Sequence, residues 1–203
     1  SIGWIESMCV PIYGSNDQMI GALGINREIT DRVNKAQHLE HIANHDHLTK
    51  IPNRYLLFDR VEHLIAKSER NKNNFALLYI DLDKFKLIND TKGHSFGDQV
   101  LIETAKRLKQ SIRNSDTVAR IGGDEFVILL EDITGRADVS IVLEKLEEEF
   151  NRSLIIEDES IELGCSIGVA IYPKEGKTMD ALLATADKNM YATKYASRRG
   201  DEH

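Results

Sequence analysis

The sequence predicts an α+β fold in which a mixed, mainly antiparallel sheet is flanked by helices. Three observations point to it. Apolar residues recur with a period near 3.6 in some segments and as strand-like runs in others, and the two kinds alternate along the chain. The central stretch "DTVARIGGDEFVILLE", residues 116–131, reads as strand, tight turn, strand, so two strands must run antiparallel. The stretch "FALLYIDLD", residues 75–83, is almost wholly apolar until it ends in acid, as a strand buried on both faces does. A central hairpin of this kind belongs to an α+β sandwich and not to a doubly wound parallel sheet.

Taken in order, residues 4–12 and 18–25 flank the polar cluster "YGSND" and predict a β-hairpin. A lone hairpin is marginal in water, so this one needs a partner surface or belongs to a larger sheet. Residues 30–44 predict a connecting helix, with Ile29, Val33, Ala36 and Ala43 at helical spacing but fewer than three heptads. Asn53 is placed to cap a helix over 54–70. The strand at 75–83 follows, then a helix over 97–113 that gathers Val100, Leu101, Ala105, Leu108 and Ile112 on one side. Beyond the central hairpin, Val139, Leu143, Leu146 and Phe150 mark a further amphipathic helix. "IELGCSIGVAIYP" reads as one strand stopped by Pro173. A last helix over 178–196 turns Leu182, Leu183, Ala186 and Met190 inward.

Composition narrows the function. With 41% apolar and 29% charged residues the chain is of globular type. Cys9 and Cys165 lack metal-ligand spacing, which suits a reducing cytoplasm and offers no zinc site. A formal charge of −7 argues against nucleic acid as a partner, yet allows a nucleotide whose phosphates meet the acids through a divalent cation. No apolar run has the length of a membrane span and no signal peptide is seen, so a cytoplasmic location is expected. The opening "SIGWIESMCV" reads as the middle of a longer protein, whose remainder could carry a membrane anchor.

Chemistry concentrates in the carboxylates. Asp81 ends the strand of "FALLYI", while Asp124 and Glu125 sit at the turn of the central hairpin. If the two elements are neighbours in one sheet, these acids meet at one edge. Clustered carboxylates resist ionisation unless a cation neutralises them. An all-oxygen donor set without histidine or cysteine favours Mg²⁺, which takes one or two carboxylates together with phosphate oxygens. Gly122 and Gly123 then leave room for a bulky ligand against the turn.

"RIGGDEF", residues 120–126, resembles the signature of the GGDEF family, the diguanylate cyclases. "DHLTKIPNR" at 46–54 is similar to that family's opening motif, "DLDKFKLINDTKGHSFGD" at 81–98 to its nucleotide-binding segment, and "ADKNMYATKYASRR" at 186–199 to its closing helix. The motifs stand in the family's order and cover residues 45–199. The chain departs from the family in "TKIPNR" for the commoner "TGLPNR", and in Ser197 where the closing motif usually has glycine.

The resemblance implies a cyclase or polymerase-palm-like domain over 45–203 that condenses two GTP into cyclic di-GMP and two pyrophosphates. It implies two Mg²⁺ per active site, with Mn²⁺ as a substitute, held by Asp81, Asp124 and the carbonyl of Leu82. Asp124 or Glu125 would take the proton of the attacking ribose hydroxyl or hold the ion that activates it. Asn89 and Asp98 match the guanine-reading pair, Phe85 and Lys86 the phosphate cradle, and Lys194 and Arg198 the triphosphate contacts. Arg113 and Asp116, the ends of "RNSD", match an inhibitory RxxD site for the product, nine residues before Gly122. Because the product joins two nucleotides, a homodimer is needed for catalysis. Residues 1–29 resemble the end of a PAS sensor domain, from which no cofactor is expected, and 30–44 would be the signalling helix. The alternative is a silent GGDEF domain that receives GTP or cyclic di-GMP. Such domains lose signature residues, whereas Asp81, Asn89, Asp98, Asp124 and Glu125 are all present.

Overall fold

The computed structural model describes residues 3–200, with side chains described through Lys194. The chain divides into two compact units, Ser1–Ala43 and Asn44–His203.

In the first unit, strands β1 (Ile5–Tyr13) and β2 (Met19–Glu28) form the expected antiparallel hairpin, pairing from Ile5↔Glu28 to Tyr13↔Met19. Its turn is closed by the Gly14 N–H on the Gln18 carbonyl, 2.9 Å. Helix α1 (Thr30–Asn44) follows. The Trp4 N–H donates to Thr30 Oγ1 at 2.9 Å and the Ile29 N–H to the Trp4 carbonyl at 2.9 Å, so strand entry and helix start are tied together. The residues of β1 are exposed throughout, and α1 buries none.

The second unit opens with α2 (Arg54–Asn71), capped as expected: the Asn53 side chain accepts from the Leu56 N–H at 3.1 Å. Strand β3 (Asn74–Leu82), α3 (Phe85–Lys92), α4 (His94–Ser111), β4 (Thr117–Gly122), β5 (Glu125–Ile133) and α5 (Arg136–Phe150) come next. A small hairpin of β6 (Leu154–Ile156) and β7 (Glu159–Ile161), strand β8 (Cys165–Tyr172) and α6 (Met179–Gly200) complete it. The main sheet has the order β4-β5-β3-β8 and its strand pairings are antiparallel, with one isolated parallel bridge from Asn53 to Arg120 at the β4 edge, as expected of a mainly antiparallel sheet.

Strand alternation makes two cores. Ala76, Leu78 and Ile80 face α4 and α5 through Val100, Leu108, Leu146 and Phe150. Phe75, Leu77 and Tyr79 face α2 and α6 through Leu57, Val61, Leu182, Ala186 and Met190. Helix α6 lies so close over β8 that a Cβ at Gly168 would fall 2.0 Å from the Ala186 carbonyl oxygen and 2.2 Å from the Met190 nitrogen.

Three expected boundaries are corrected. The helix placed at 97–113 begins at His94 and ends at Ser111. The separate helix α3 precedes it; its cap, Lys84, has φ 58° and gives no side-chain hydrogen bond, so the usual start signal is missing. "IELGCSIGVAIYP" is two strands, because Gly164 leaves the ladder and its carbonyl accepts from the Asp83 N–H at 2.9 Å. Among the described residues no helix is long and apolar enough to cross a membrane.

Candidate active site

The edge at which β3 ends and β5 begins brings the predicted acids together. Asp81 is the register partner of Glu125, and the Leu82 N–H donates to the Asp124 carbonyl at 3.3 Å. Gly122 pairs with Glu125 across the hairpin, which leaves Gly123 and Asp124 as its two-residue turn. Gly123 takes φ 33°, a value side-chain-bearing residues avoid. Arg120 fixes the turn from behind: Nε and Nη2 donate to the Gly123 carbonyl at 2.9 and 2.8 Å. Its Nη1 binds Asp46 Oδ1 at 3.0 Å, and Asp46 also accepts from the Thr49 N–H and hydroxyl at 2.8 and 2.6 Å. The opening motif therefore serves as a buttress for the signature hairpin.

The three acids at this edge differ in their surroundings. Asp81 is ion-paired with the Lys194 ammonium of α6. Burial, reinforced by the Asp81 carboxylate, pushes the Asp124 carboxyl above its usual range; its own backbone N–H, Lys194 and Arg120 oppose that only in part. Glu125 Oε1 accepts from the Tyr79 hydroxyl at 2.9 Å, and burial together with Glu125 holds that phenol protonated well beyond its usual range. Asp83, the second acid of "DLD", is turned away and accepts from the Ser166 hydroxyl at 3.0 Å.

The remaining predicted residues lie on α3, α4, α6 and the loop before β4. Phe85 opens α3 with its ring buried in the core, and Lys86 beside it is exposed. The Asn89 side chain packs on α4, where a Cβ at Gly97 would fall 1.9 Å from its Oδ1; Asp98, the next residue, is exposed. A cavity of about 660 Å³ between α3, the end of α5 and residues 162–164 has Asp83, Lys84, Phe150 and Leu163 in its wall; of the predicted residues only Lys194 lines it. Arg198 lies in α6, but its side chain is outside the described residues. Arg113 is exposed on a loop far along the sheet. Asp116 is only 6% exposed, and its two oxygens accept from the Arg113 and Glu131 N–H groups at 3.2 Å each.

The donors at the edge suit a small hard cation. They are the Asp81 and Asp124 carboxylates, the Leu82 carbonyl and the Glu125 carboxylate opposite Asp81, although among the described residues no three of His, Cys, Asp or Glu are gathered closely enough to enclose an ion by themselves. Such an incomplete set fits a cation that keeps positions open for phosphate oxygens.

Residues 43–200 match the family model described as diguanylate cyclase, GGDEF domain. The chain belongs to the GGDEF family. It is 44% identical over 159 residues to the bifunctional diguanylate cyclase/cyclic di-GMP phosphodiesterase MucR of Pseudomonas aeruginosa, covering 78% of this chain and 23% of MucR. The chain thus spans about a quarter of that relative. The GGDEF domain of TpbB from the same organism superposes with a TM-score of 0.72 at 37% identity, covering 75% of this chain and 89% of that one. The coiled coil and GGDEF domain of DgcB from Caulobacter crescentus, in complex with c-di-GMP, gives 0.73 at 26% identity, covering 82% and 88%.

Sequence reasoning missed three contributors here. The Asp46–Arg120 pair joins two motifs quoted separately, and the role of Gly97 arises only from the packing of α3 on α4. Tyr79 stands two residues before Asp81, the spacing that puts both on one strand face, and that was the available signal.

Proposed function

We propose that this chain condenses two GTP molecules into cyclic di-GMP with release of two pyrophosphates. The observation that carries the reading is the convergence of Asp81, Asp124 and Glu125 on one sheet edge, where β3 ends and β5 begins. The relatives' names agree with it: MucR and TpbB are cyclases by name, and DgcB was solved with the product.

Mg²⁺ held by the Asp81 and Asp124 carboxylates and the Leu82 carbonyl, or Mn²⁺ in its place, would neutralise the triphosphate and the departing pyrophosphate. The chain's own groups do the rest. The first N–H groups of α3, at Phe85 and Lys86, have no intrahelical partners and face oxygen acceptors such as phosphates. Lys194 passes from Asp81 to the triphosphate, and Arg198, four residues on, adds a second cationic contact. Asn89 and Asp98 read the donor edge of guanine, which adenine lacks. The ribose 3′-hydroxyl of the facing GTP attacks the α-phosphate, pyrophosphate leaves, and the hydroxyl proton goes to the Asp124 or Glu125 carboxylate. One site holds one GTP, so two copies must face each other about a two-fold axis, and a monomer binds nucleotide without turnover. Arg113 and Asp116 form the product-inhibition site: Asp116 is fixed by backbone donors while the Arg113 guanidinium is exposed to grip a phosphate or stack on guanine. The first unit, with its exposed hairpin, is read as the end of a PAS sensor, followed by the signalling helix.

The test is a concentration series of the purified chain with GTP and Mg²⁺, product separated by chromatography, beside Asp124→Ala. Turnover that rises with dimerisation and disappears in the variant is expected; turnover surviving the substitution removes the metal assignment. Arg113→Ala is expected to relieve inhibition by added cyclic di-GMP, and an unchanged inhibition curve rejects the RxxD site. One observation favours a silent receptor: the Lys194 ammonium already neutralises Asp81. GTP binding without product at dimerising concentrations selects that reading.

A further inference from the structure

We propose that Tyr79 is a positioning residue for Glu125, orienting its carboxylate toward the divalent cation at the β3–β5 edge. The inference rests on the cyclase reading and adds a residue that none of the family motifs contains.

Strand geometry brings the two residues together. Asp81 and Tyr79 alternate onto the same face of β3, and Glu125 lies opposite Asp81 on β5. Tyr79 itself pairs with Val127, so Glu125 is its diagonal neighbour, a separation that an aromatic side chain spans. The hydroxyl meets Glu125 Oε1 at 2.9 Å. The ring is anchored in the apolar cluster of Leu57, Leu182, Ala186 and Met190, and Tyr79 is only 9% exposed.

Burial makes this contact consequential. A hydroxyl inside the run "FALLYI" is costly unless bonded, and phenylalanine would fill the same space without that cost. The carboxylate gains as well. Glu125 directly opposes Asp81, and like charges facing each other across strands repel. A neutral donor from below offsets that repulsion without occupying the place a cation would take. Because the ring has few rotamers and is seated in that apolar cluster, with only the hydroxyl end beside Glu125 lining a small pocket, Oε1 is held in place. Oε2 is then left on the hairpin side, where it lies 3.4 Å from the position of a Cβ at Gly122. Groups that hydrogen-bond a metal-binding carboxylate from behind typically change metal affinity by about 10–100-fold.

The test uses the full chain as wild type, Tyr79→Phe, Glu125→Gln and the double variant, loaded with 3′-deoxy-GTP, which lacks the attacking hydroxyl and cannot be condensed. Mn²⁺ affinity is read directly by electron paramagnetic resonance, and thermal melting is recorded alongside. Tyr79→Phe is expected to weaken Mn²⁺ binding about tenfold, with a melting temperature close to wild type. In the Glu125→Gln background the same change is expected to have no further effect, because Tyr79 acts only through that carboxylate. Wild-type affinity in Tyr79→Phe, or an equal loss with and without Glu125, overturns the proposal while leaving the cyclase reading intact. A wild-type protein that binds no Mn²⁺ with the nucleotide overturns both.

Discussion

Asp46 and Asp124 lie on opposite sides of the same arginine. Asp46 receives the Arg120 guanidinium at 3.0 Å and two further donors from Thr49. Burial alone would push its carboxyl up, but the Thr49 hydroxyl and amide together with Arg120 hold it below the usual range. Asp124 follows the Gly123 carbonyl that Arg120 also binds, yet burial and the Asp81 carboxylate push its carboxyl up. The two acids share a neighbourhood and differ in how fully their charge is satisfied. The fold completes the shell of the acid that builds the turn. At the acid on the turn it leaves charge uncompensated, as expected where a ligand supplies the missing partner.

This contrast is broken most severely at Asp124. Asp124→Asn is expected to lower cyclic di-GMP formation on the order of 10³-fold, while the protein in chelator melts higher, by about 1 kcal/mol of added stability. Product chromatography and calorimetry check the two halves; a less stable variant would show that Asp124 is a structural acid like Asp46. Gly97→Ala has the next largest effect. Its new Cβ displaces the Asn89 amide, so KM for GTP should rise roughly tenfold while folding by circular dichroism is retained. An unchanged KM would remove Asn89 from guanine recognition.

Asp46→Asn sharpens the comparison from the other side. It is expected to cost about 1–3 kcal/mol of stability, with a smaller effect on turnover. The folded-state pKa of Asp46 is depressed, so its contribution is present above the unfolded value and is lost as pH falls through the folded one. The gap in melting temperature between wild type and variant should be full near neutral pH and close below about pH 4. A gap that persists in acid would mean that the contact is held by packing and not by charge.

The meeting of Asp81 with the "GGDE" turn was legible because two apolar runs of strand length each ended at the acids, and paired strands bring such ends together. The Asn53 cap and the first hairpin were legible for the same kind of reason: their signals are local. Helix α3 was not, since its eight residues follow a lysine in a left-handed conformation with no capping side chain. Gly97 looked like an ordinary helix residue, because its importance exists only when α3 and α4 are packed. Tyr79 was hidden by burial: inside an apolar run a tyrosine reads as filling, and its hydroxyl acquires meaning only from the strand beside it.

The bare backbone at Gly168 has a consequence at a distance. Helix α6 rests there on β8 with no side chain between them, and Lys194 stands about one turn beyond Met190, which is part of that seat. Even one methyl group at this position would act as a wedge under the helix and tilt its far end. The height from which the lysine reaches Asp81 is therefore set on the neighbouring strand, by an atom that is not there.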